Sequence, residues 1–129
     1  MVSFFKLIFY TSLLLLIIIS FYPGSLIGYF LYGDLGRQPE LVQNPFGNTI
    51  NHLICYIYIS LIGFFIYYQT KYFPQIFYAL IFLSIVLELA HLIIPRRSFQ
   101  IEDLIANILG VFIAYCAIKI YLIFRKKYE

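Results

Sequence analysis

Residues 88–110 read ELAHLIIPRRSFQIEDLIANILG, and this stretch decides how the chain is organised. It holds the end of one apolar run, a short loop with Arg96 and Arg97, and the start of another apolar run. Ionisable side chains such as Glu88 and His91 are costly inside an apolar run, because a bilayer offers little water to solvate them. We therefore expect the polar residues around this junction to have a structural or functional role.

The composition is that of a membrane protein. Hydrophobic residues make up 63% of the chain, charged residues 12%, and the mean hydropathy is +0.90. Soluble domains carry about twice that charged fraction, so this chain can hardly build a water-solvated surface. The 129 residues are enough for one domain, which we place at residues 1–129. The chain lacks a basic stripe along a soluble helix, so we expect the lipid bilayer as a partner and no nucleic acid.

Four apolar runs reach the length of about 20 residues that a membrane-spanning helix needs. We therefore predict an all-α polytopic membrane protein with four transmembrane helices. The predicted spans cover about residues 4–22, 49–68, 74–94 and 103–124.

The connection between the first two spans contains several glycines and prolines, which prevent a long regular helix. We expect its first, aromatic part to lie in the membrane interface and its second part to be the part most exposed to water. Asn48, at the end of this connection, is a plausible N-cap for the second span.

The distribution of basic residues predicts the orientation. An even number of spans puts both termini on one side of the membrane. That side holds most of the lysines, and the positive-inside rule makes it the cytoplasm. The other side holds Arg37, Arg96 and Arg97 together with acidic residues, so the 88–110 junction is expected to face outward. The basic residues on the predicted cytoplasmic side are Lys6, Lys71, Arg125, Lys126 and Lys127.

Polar and small residues recur at helical spacing in three of the spans, so each set shares one helix face. We expect these faces to converge inside the bundle and to form a polar pocket near its outer end. The sets are His52, Tyr56, Ser60, Gly63 and Tyr67; Ser84, Glu88 and His91; and Asp103, Asn107, Gly110, Ala114 and Ala117.

Two functional interpretations of the pocket remain open. In the first, the pocket binds an anionic headgroup, because arginine side chains and a helix amino end suit phosphate or carboxylate. In the second, the protein is an enzyme with Glu88, His91 and Asp103 as candidate catalytic residues. The predicted ligand-binding residues are His52, Glu88, Arg96, Arg97, Asp103 and Asn107.

The same residues also allow purely structural interpretations. Arg97 could pair with Asp103 to fix the loop, and Asn107 could hydrogen-bond a neighbouring helix.

Glu88, His91 and His52 match the ligand types of catalytic zinc, but ligand type alone is weak evidence. We therefore predict no metal and no cofactor.

These residues resemble the VanZ-like family of small membrane proteins. The resemblance covers about residues 48–117 and rests on NHLICY with His52, LELAH with Glu88, and PRRSFQIEDLIANILG. Two positions depart from the family pattern. An Asp-Lys pair often precedes the family histidine, where this chain has Asn48 and Thr49. The third span of the family often reads Glu-x-x-Gln where this chain has His91, which argues against an obligatory metal ligand there.

The resemblance implies a multi-pass protein of a prokaryotic cell membrane with a role in the cell envelope, since the founding member is linked to resistance to the glycopeptide teicoplanin. The function expected first is binding of an anionic lipid-linked cell-wall intermediate or a similar amphiphile in the outward-facing pocket. One alternative is a membrane hydrolase or transferase that acts on polyprenyl-linked phosphate. Another is a structural subunit of a membrane complex, in which the chain would be part of a homo- or hetero-oligomer.

Overall fold

A computed structural model describes residues 2–37 and 49–128, and within those ranges it contains five helices and no strand. Four of the helices are long and apolar enough to cross a membrane, namely all except the second. The predicted all-α architecture with four spans is thereby confirmed, whereas the side on which the termini lie stays a prediction. The helices are α1 Val2–Phe21, α2 Leu26–Tyr32, α3 Thr49–Tyr67, α4 Phe73–Ala90 and α5 Ile101–Tyr128.

Helices α3 and α5 form the centre of the bundle, and they share its largest interface. Gly110 makes their close approach possible. A Cβ atom at this position would lie 2.8 Å from the backbone oxygen of Leu53 and 2.9 Å from Cβ of Tyr56. Small residues are common at such helix crossings in membranes, because they let two backbones pack directly against each other. Helix α4 packs against both central helices, and α1 packs on the outside against α3 and α4.

The two ends of the bundle interior differ in chemistry. Around the carboxyl end of α3 and the start of α4 the interior is aromatic: Phe64 is fully buried, and the rings of Phe73 and Tyr115 stack with 5.5 Å between their centroids. Around the start of α3 and the end of α4 the buried residues are polar. Among the described residues, the buried side chains that can ionise, Glu88, His91 and Asp103, therefore lie at one end, while the buried hydroxyls of Ser60 and Ser84 lie further along the bundle.

The segment between α1 and α2 turns the chain back toward the bundle. The hydroxyl of Ser25 accepts a hydrogen bond of 2.9 Å from the amide of Gly28 and so caps α2. Gly33 ends this helix with φ at +69°, a left-handed conformation that favours glycine. Helix α2 has only seven residues, as the glycine-rich sequence leads one to expect. The rest of the connection, including the predicted N-cap at Asn48, lies outside the described residues.

Helix α4 ends earlier than the sequence pattern predicts. The apolar run continues to Ile94, but α4 ends at Ala90, and the next residues form a tightened turn. In this turn the amide of His91 donates to the carbonyl of Glu88, three residues earlier. The turn places His91 just beyond the span.

Candidate functional site

The three polar faces converge at one end of the bundle. Glu88 at the end of α4 is 1% exposed, Asp103 at the start of α5 is 4% exposed, and Asn107 one turn further is 1% exposed. His52 approaches them from the first turn of α3 and is half-buried. The predicted convergence of these four residues is therefore present. Their role in binding or catalysis stays a prediction.

Glu88 is the centre of the hydrogen-bond network. Its Oε1 atom lies 3.3 Å from Nδ1 of His91 and accepts a hydrogen bond of 3.3 Å from the backbone amide of Gln100. Its Oε2 atom accepts a hydrogen bond of 3.5 Å from Nδ2 of Asn107. The carboxylate thus receives N–H groups from α5, from the loop before it and from the turn that follows its own helix. A buried charge is stable only when it is hydrogen-bonded and paired in this way.

His52 joins Glu88 to Asp103. Its Nδ1 atom lies 3.1 Å from Oδ1 of Asn107 and 4.0 Å from Oε2 of Glu88, while its Nε2 atom lies 3.5 Å from Oδ2 of Asp103. Asp103 also accepts a hydrogen bond of 2.7 Å from the hydroxyl of Thr49. Each ring nitrogen of His52 therefore faces an acceptor.

The directions of these hydrogen bonds determine which atom of His52 donates. Because the amide NH₂ of Asn107 donates to Glu88, its oxygen is the atom that faces His52, and His52 donates from Nδ1. Nε2 faces the carboxylate of Asp103 at 3.5 Å. The ring of His52 therefore lies between two carboxylates and links them within one network.

Arg97 contacts α1 instead of the acidic residues. Its Nη2 atom donates to the carbonyl of Ile19 at 2.8 Å, and its Nε atom donates to the carbonyl of Tyr22 at 3.4 Å. Burial lowers the pKa of this guanidinium from its usual value, and the negative charge of Glu88 partly opposes that effect. Arginine nevertheless stays protonated in proteins.

The pairing of Arg97 with Asp103 that the sequence suggested is therefore wrong: no ion pair joins the two residues within the described part of the chain. The physical reason is that carbonyl groups at the end of a helix have no partner within the helix, and they carry the negative end of its dipole. Arg97 satisfies two of them.

The neighbouring arginine lies apart from the cluster. Arg96 is exposed, and its backbone has φ at +61°, a left-handed conformation that side chains rarely adopt. Of the two arginines predicted to bind a ligand, Arg97 lines a cavity and Arg96 does not. Their role in binding stays a prediction.

That cavity has a volume of about 310 Å³ and lies between α1, α2 and α3, next to the polar cluster. Its wall is mainly apolar, with Leu15 and Ile19 from α1 and Ile59 from α3. The basic groups around it are His52, His91 and Arg97. The cavity thus combines an apolar wall with cationic or protonatable nitrogen atoms.

Within residues 2–37 and 49–128, no three His, Cys, Asp or Glu side chains are arranged to hold a metal ion. The network explains this arrangement: both oxygens of Glu88 already accept N–H groups, and each ring nitrogen of His52 faces an oxygen of Asn107 or Asp103. The residues present do not fit the two-His-one-Glu set that their types suggest.

Several residues of this site were missed by reasoning from sequence. Thr49 and Gln100 bond the two carboxylates, and α1 supplies one wall of the cavity. A signal for the wall exists: Ser12 and Ser20 are eight residues apart and therefore share a helix face with Leu16. All three line the cavity. Nothing comparable marks Thr49 or Gln100.

The fold and the cluster define a class: an all-helical multi-pass membrane protein with a buried carboxylate–histidine–asparagine network at one end of its bundle. The model of the VanZ/LLP1 family matches residues 7–125, nearly the whole chain. The chain belongs to the VanZ/LLP1 family. No curated protein matches it, and no solved structure does.

Proposed function

We propose that this VanZ/LLP1-family protein has a cell-envelope role and binds an anionic amphiphile, such as a lipid-linked cell-wall intermediate, in the cavity between α1 and α3. The observation that carries the proposal is the composition of the cavity wall. Apolar side chains cover most of it, and the guanidinium of Arg97 lies at the same site as two histidines. This combination suits a ligand with an anionic head and a hydrocarbon chain.

The size of the cavity supports the same proposal. Ligand sites in proteins have volumes of roughly 300–1,000 Å³ and are mostly apolar, with a few placed polar groups. A cavity of about 310 Å³ is at the lower end of this range. It can hold a headgroup and the first carbons of a chain, and the remainder of the chain would lie in the bilayer beside α1. Among the four spans, α1 has the smallest buried share, so its outer face is available to lipid.

Arg97 is the residue on which recognition of the head depends in this proposal. Two of its five N–H groups donate to carbonyls at the end of α1. These bonds orient the planar group before a ligand arrives, and a pre-organised guanidinium binds phosphate or carboxylate strongly. The two carboxylates of the site do not face an incoming anion unpaired, because the ring of His52 lies between them, 4.0 Å from Glu88 and 3.5 Å from Asp103.

The first experiment measures binding of farnesyl phosphate to the purified protein in a neutral detergent, with farnesol as the uncharged control of equal chain length. We expect the phosphate to bind and farnesol to bind at least tenfold more weakly. Arg97→Gln should weaken binding of the phosphate about tenfold or more, since a hydrogen bond to a charged group contributes about 1.5–3 kcal/mol. Arg96→Gln is the matched control and should change it less than twofold.

The thermal unfolding midpoint of each variant separates lost recognition from a lost fold. Arg97→Lys keeps the positive charge and should bind better than Arg97→Gln at the same stability. Equal affinity for farnesol and farnesyl phosphate would contradict the proposal, and so would an equal effect of the two glutamine substitutions.

The envelope role is tested in cells. Susceptibility to teicoplanin is compared with susceptibility to vancomycin in cells that express the wild type, Arg97→Gln or Arg96→Gln at equal membrane levels. We expect the wild type and Arg96→Gln to lower susceptibility to teicoplanin, and Arg97→Gln to have no such effect. Identical susceptibility of all three strains and the empty-vector strain would show that the glycopeptide link does not extend to this chain.

The contact between Glu88 and His91 favours a second candidate function. A carboxylate that accepts from one ring nitrogen of a histidine fixes the tautomer and leaves the other nitrogen as a potential base. In a hydrolase or transferase acting on polyprenyl-linked phosphate, His91 would be that base. The test is release of phosphate from farnesyl diphosphate by the wild type and by Glu88→Gln. Release by the wild type alone would support this second function.

A further inference from the structure

The ring of His91 is the least satisfied polar group of the site. The residue is 6% exposed, it lines the cavity, and its Nε2 atom is buried with no hydrogen-bond partner within the described residues. A buried polar atom without a partner costs free energy, so such atoms are rare unless something else satisfies them. A ligand in the cavity is a natural source of the missing partner.

The hydrogen bond on the other side of the ring determines what Nε2 can do. Nδ1 lies 3.3 Å from Oε1 of Glu88 and must donate to it, because a carboxylate only accepts. In the neutral ring Nε2 then carries a lone pair and no proton. It cannot donate to an anion in that state. When Nε2 takes up a proton, the same atom becomes a donor aimed away from Glu88.

The site around His91 already holds two carboxylates. Glu88 and Asp103 lie there together with the ring of His52 and the guanidinium of Arg97. An anionic head that enters the cavity adds a negative charge where water is scarce, and a site of low dielectric strongly opposes an unbalanced charge.

We propose that His91 takes up a proton when an anionic amphiphile binds, and that its Nε2–H group then donates to an oxygen of the headgroup. This inference rests on the proposed function and adds to it a coupling between ligand binding and proton uptake by His91. Binding tightens as the pH falls through the range in which histidines are protonated, about pH 8 to 5. The protein is thereby selective for a headgroup with a full negative charge over a neutral polar one.

The other titratable groups around His91 belong to every element that packs near it. Helix α1 contributes only serines and apolar residues to the cavity wall, and so does the α2 segment. Of the remaining groups, Arg97 stays protonated throughout, and a thiol and a phenol start from pKa values of about 8.5 and 10. The His91→Gln variant described below leaves His52 unchanged, so it separates proton uptake by His91 from proton uptake by His52. The titratable groups near His91 or along the cavity wall are His52, Cys55, Tyr56 and Tyr58 from α3, Glu88 from α4, Asp103 from α5, and Arg97 from the loop.

The test is isothermal titration calorimetry of the full chain in neutral detergent with decanesulfonate, after subtraction of a titration into empty micelles. A sulfonate stays ionised from pH 5 to 8, so any proton taken up comes to the protein and not to the probe. Titrations at one pH in two buffers of different ionisation enthalpy give the number of protons bound per ligand. Titrations at several pH values give the pH dependence of the affinity.

For the wild type at pH 7.5 we expect an uptake close to one proton and an affinity that rises by up to about tenfold per pH unit of acidification. His91→Gln keeps a polar side chain that cannot be protonated. It should still bind, with an uptake near zero and no dependence on pH. Leu92→Gln is the matched control on the exposed neighbouring residue and should behave as the wild type.

Two results would overturn the inference and leave the proposed function intact: binding by the wild type without proton uptake, or an undiminished uptake in His91→Gln. If His91→Gln fails to fold, the proton uptake of the wild type still tests the inference. His91→Asn is then a second variant without a protonatable side chain at this position. If decanesulfonate does not bind at any pH between 5 and 8, the proposed function fails and the inference fails with it.

Discussion

Asp103 accepts a hydrogen bond of 2.7 Å from the hydroxyl of Thr49, which joins the first turn of α5 to the first residue of α3. The two helices share the largest interface of the bundle, and this bond closes it at the polar end. The same carboxylate faces Nε2 of His52 at 3.5 Å. Asp103 therefore joins the two central helices and contacts the histidine of the site at the same time.

The first prediction concerns this double role. Asp103→Ala removes the acceptor of Thr49 and leaves His52 without one of its two carboxylates. We expect the protein to lose about 1–3 kcal/mol of stability, the cost of leaving a buried polar group without its partner. The measurement is the thermal unfolding midpoint in detergent. Glu102→Ala removes an exposed carboxylate one residue earlier, and its midpoint should stay close to that of the wild type.

A second prediction follows from the close approach of α3 and α5. A side chain at Gly110 would meet the backbone of Leu53 and the Cβ atom of Tyr56 within 3 Å, so Gly110→Leu must push the helices apart. Overpacking of this kind costs about 1–3 kcal/mol or more. We expect a lower unfolding midpoint and less protein in the membrane. Ala117→Leu adds bulk to an exposed position of the same helix and should be tolerated. Equal loss in both variants would contradict the packing at Gly110.

The sequence was sufficient to predict the four spans and the convergence of His52, Glu88, Asp103 and Asn107. Both depend on local periodicity: an apolar run of sufficient length must cross the bilayer, and residues spaced by three or four share a helix face. Where the buried positions of a helix depart from the assumed spacing, the prediction of which residues are buried is wrong. Ala117 was expected on the buried face of α5, but it is exposed and Ile118 is buried instead. A step of four residues follows Ala114 where a step of three was assumed.

The features that the sequence could not predict are tertiary. Arg97 donates to a pair of carbonyl groups at the end of α1, more than 70 residues away. Every residue has a backbone carbonyl, so the sequence does not show which one will accept the hydrogen bond. The cavity depends on how α1 and α2 pack against α3, which periodicity does not determine. The early end of α4 also depends on context, because the apolar run continues past Ala90 while the chain already turns toward the loop.

A third prediction concerns the exposed neighbour of Arg97. Arg96 has φ at +61°, where a side chain clashes with its own backbone and glycine does not. We expect Arg96→Gly to stabilise the protein by about 0.5–1 kcal/mol, since the relief of strain of about 1–2 kcal/mol exceeds the entropy that glycine costs. Ser98→Gly is the control, because φ is not positive there and only the entropic cost remains. A lower unfolding midpoint for Arg96→Gly than for the wild type would show that the side chain has a stabilising contact.

The final prediction concerns the side of the membrane on which the site lies, because an outward-facing pocket requires the α4–α5 loop to be outside. Ser98 in that loop and Gln69 in the α3–α4 connection are both exposed, and they lie at opposite ends of α4. In a background with Cys55→Ala and Cys116→Ala, a membrane-impermeant maleimide should label Ser98→Cys in intact cells. Gln69→Cys should react only after the cells are permeabilised. The reverse pattern would place the cavity, His91 and Arg97 on the cytoplasmic side, and a ligand would then have to reach the site from the inner leaflet.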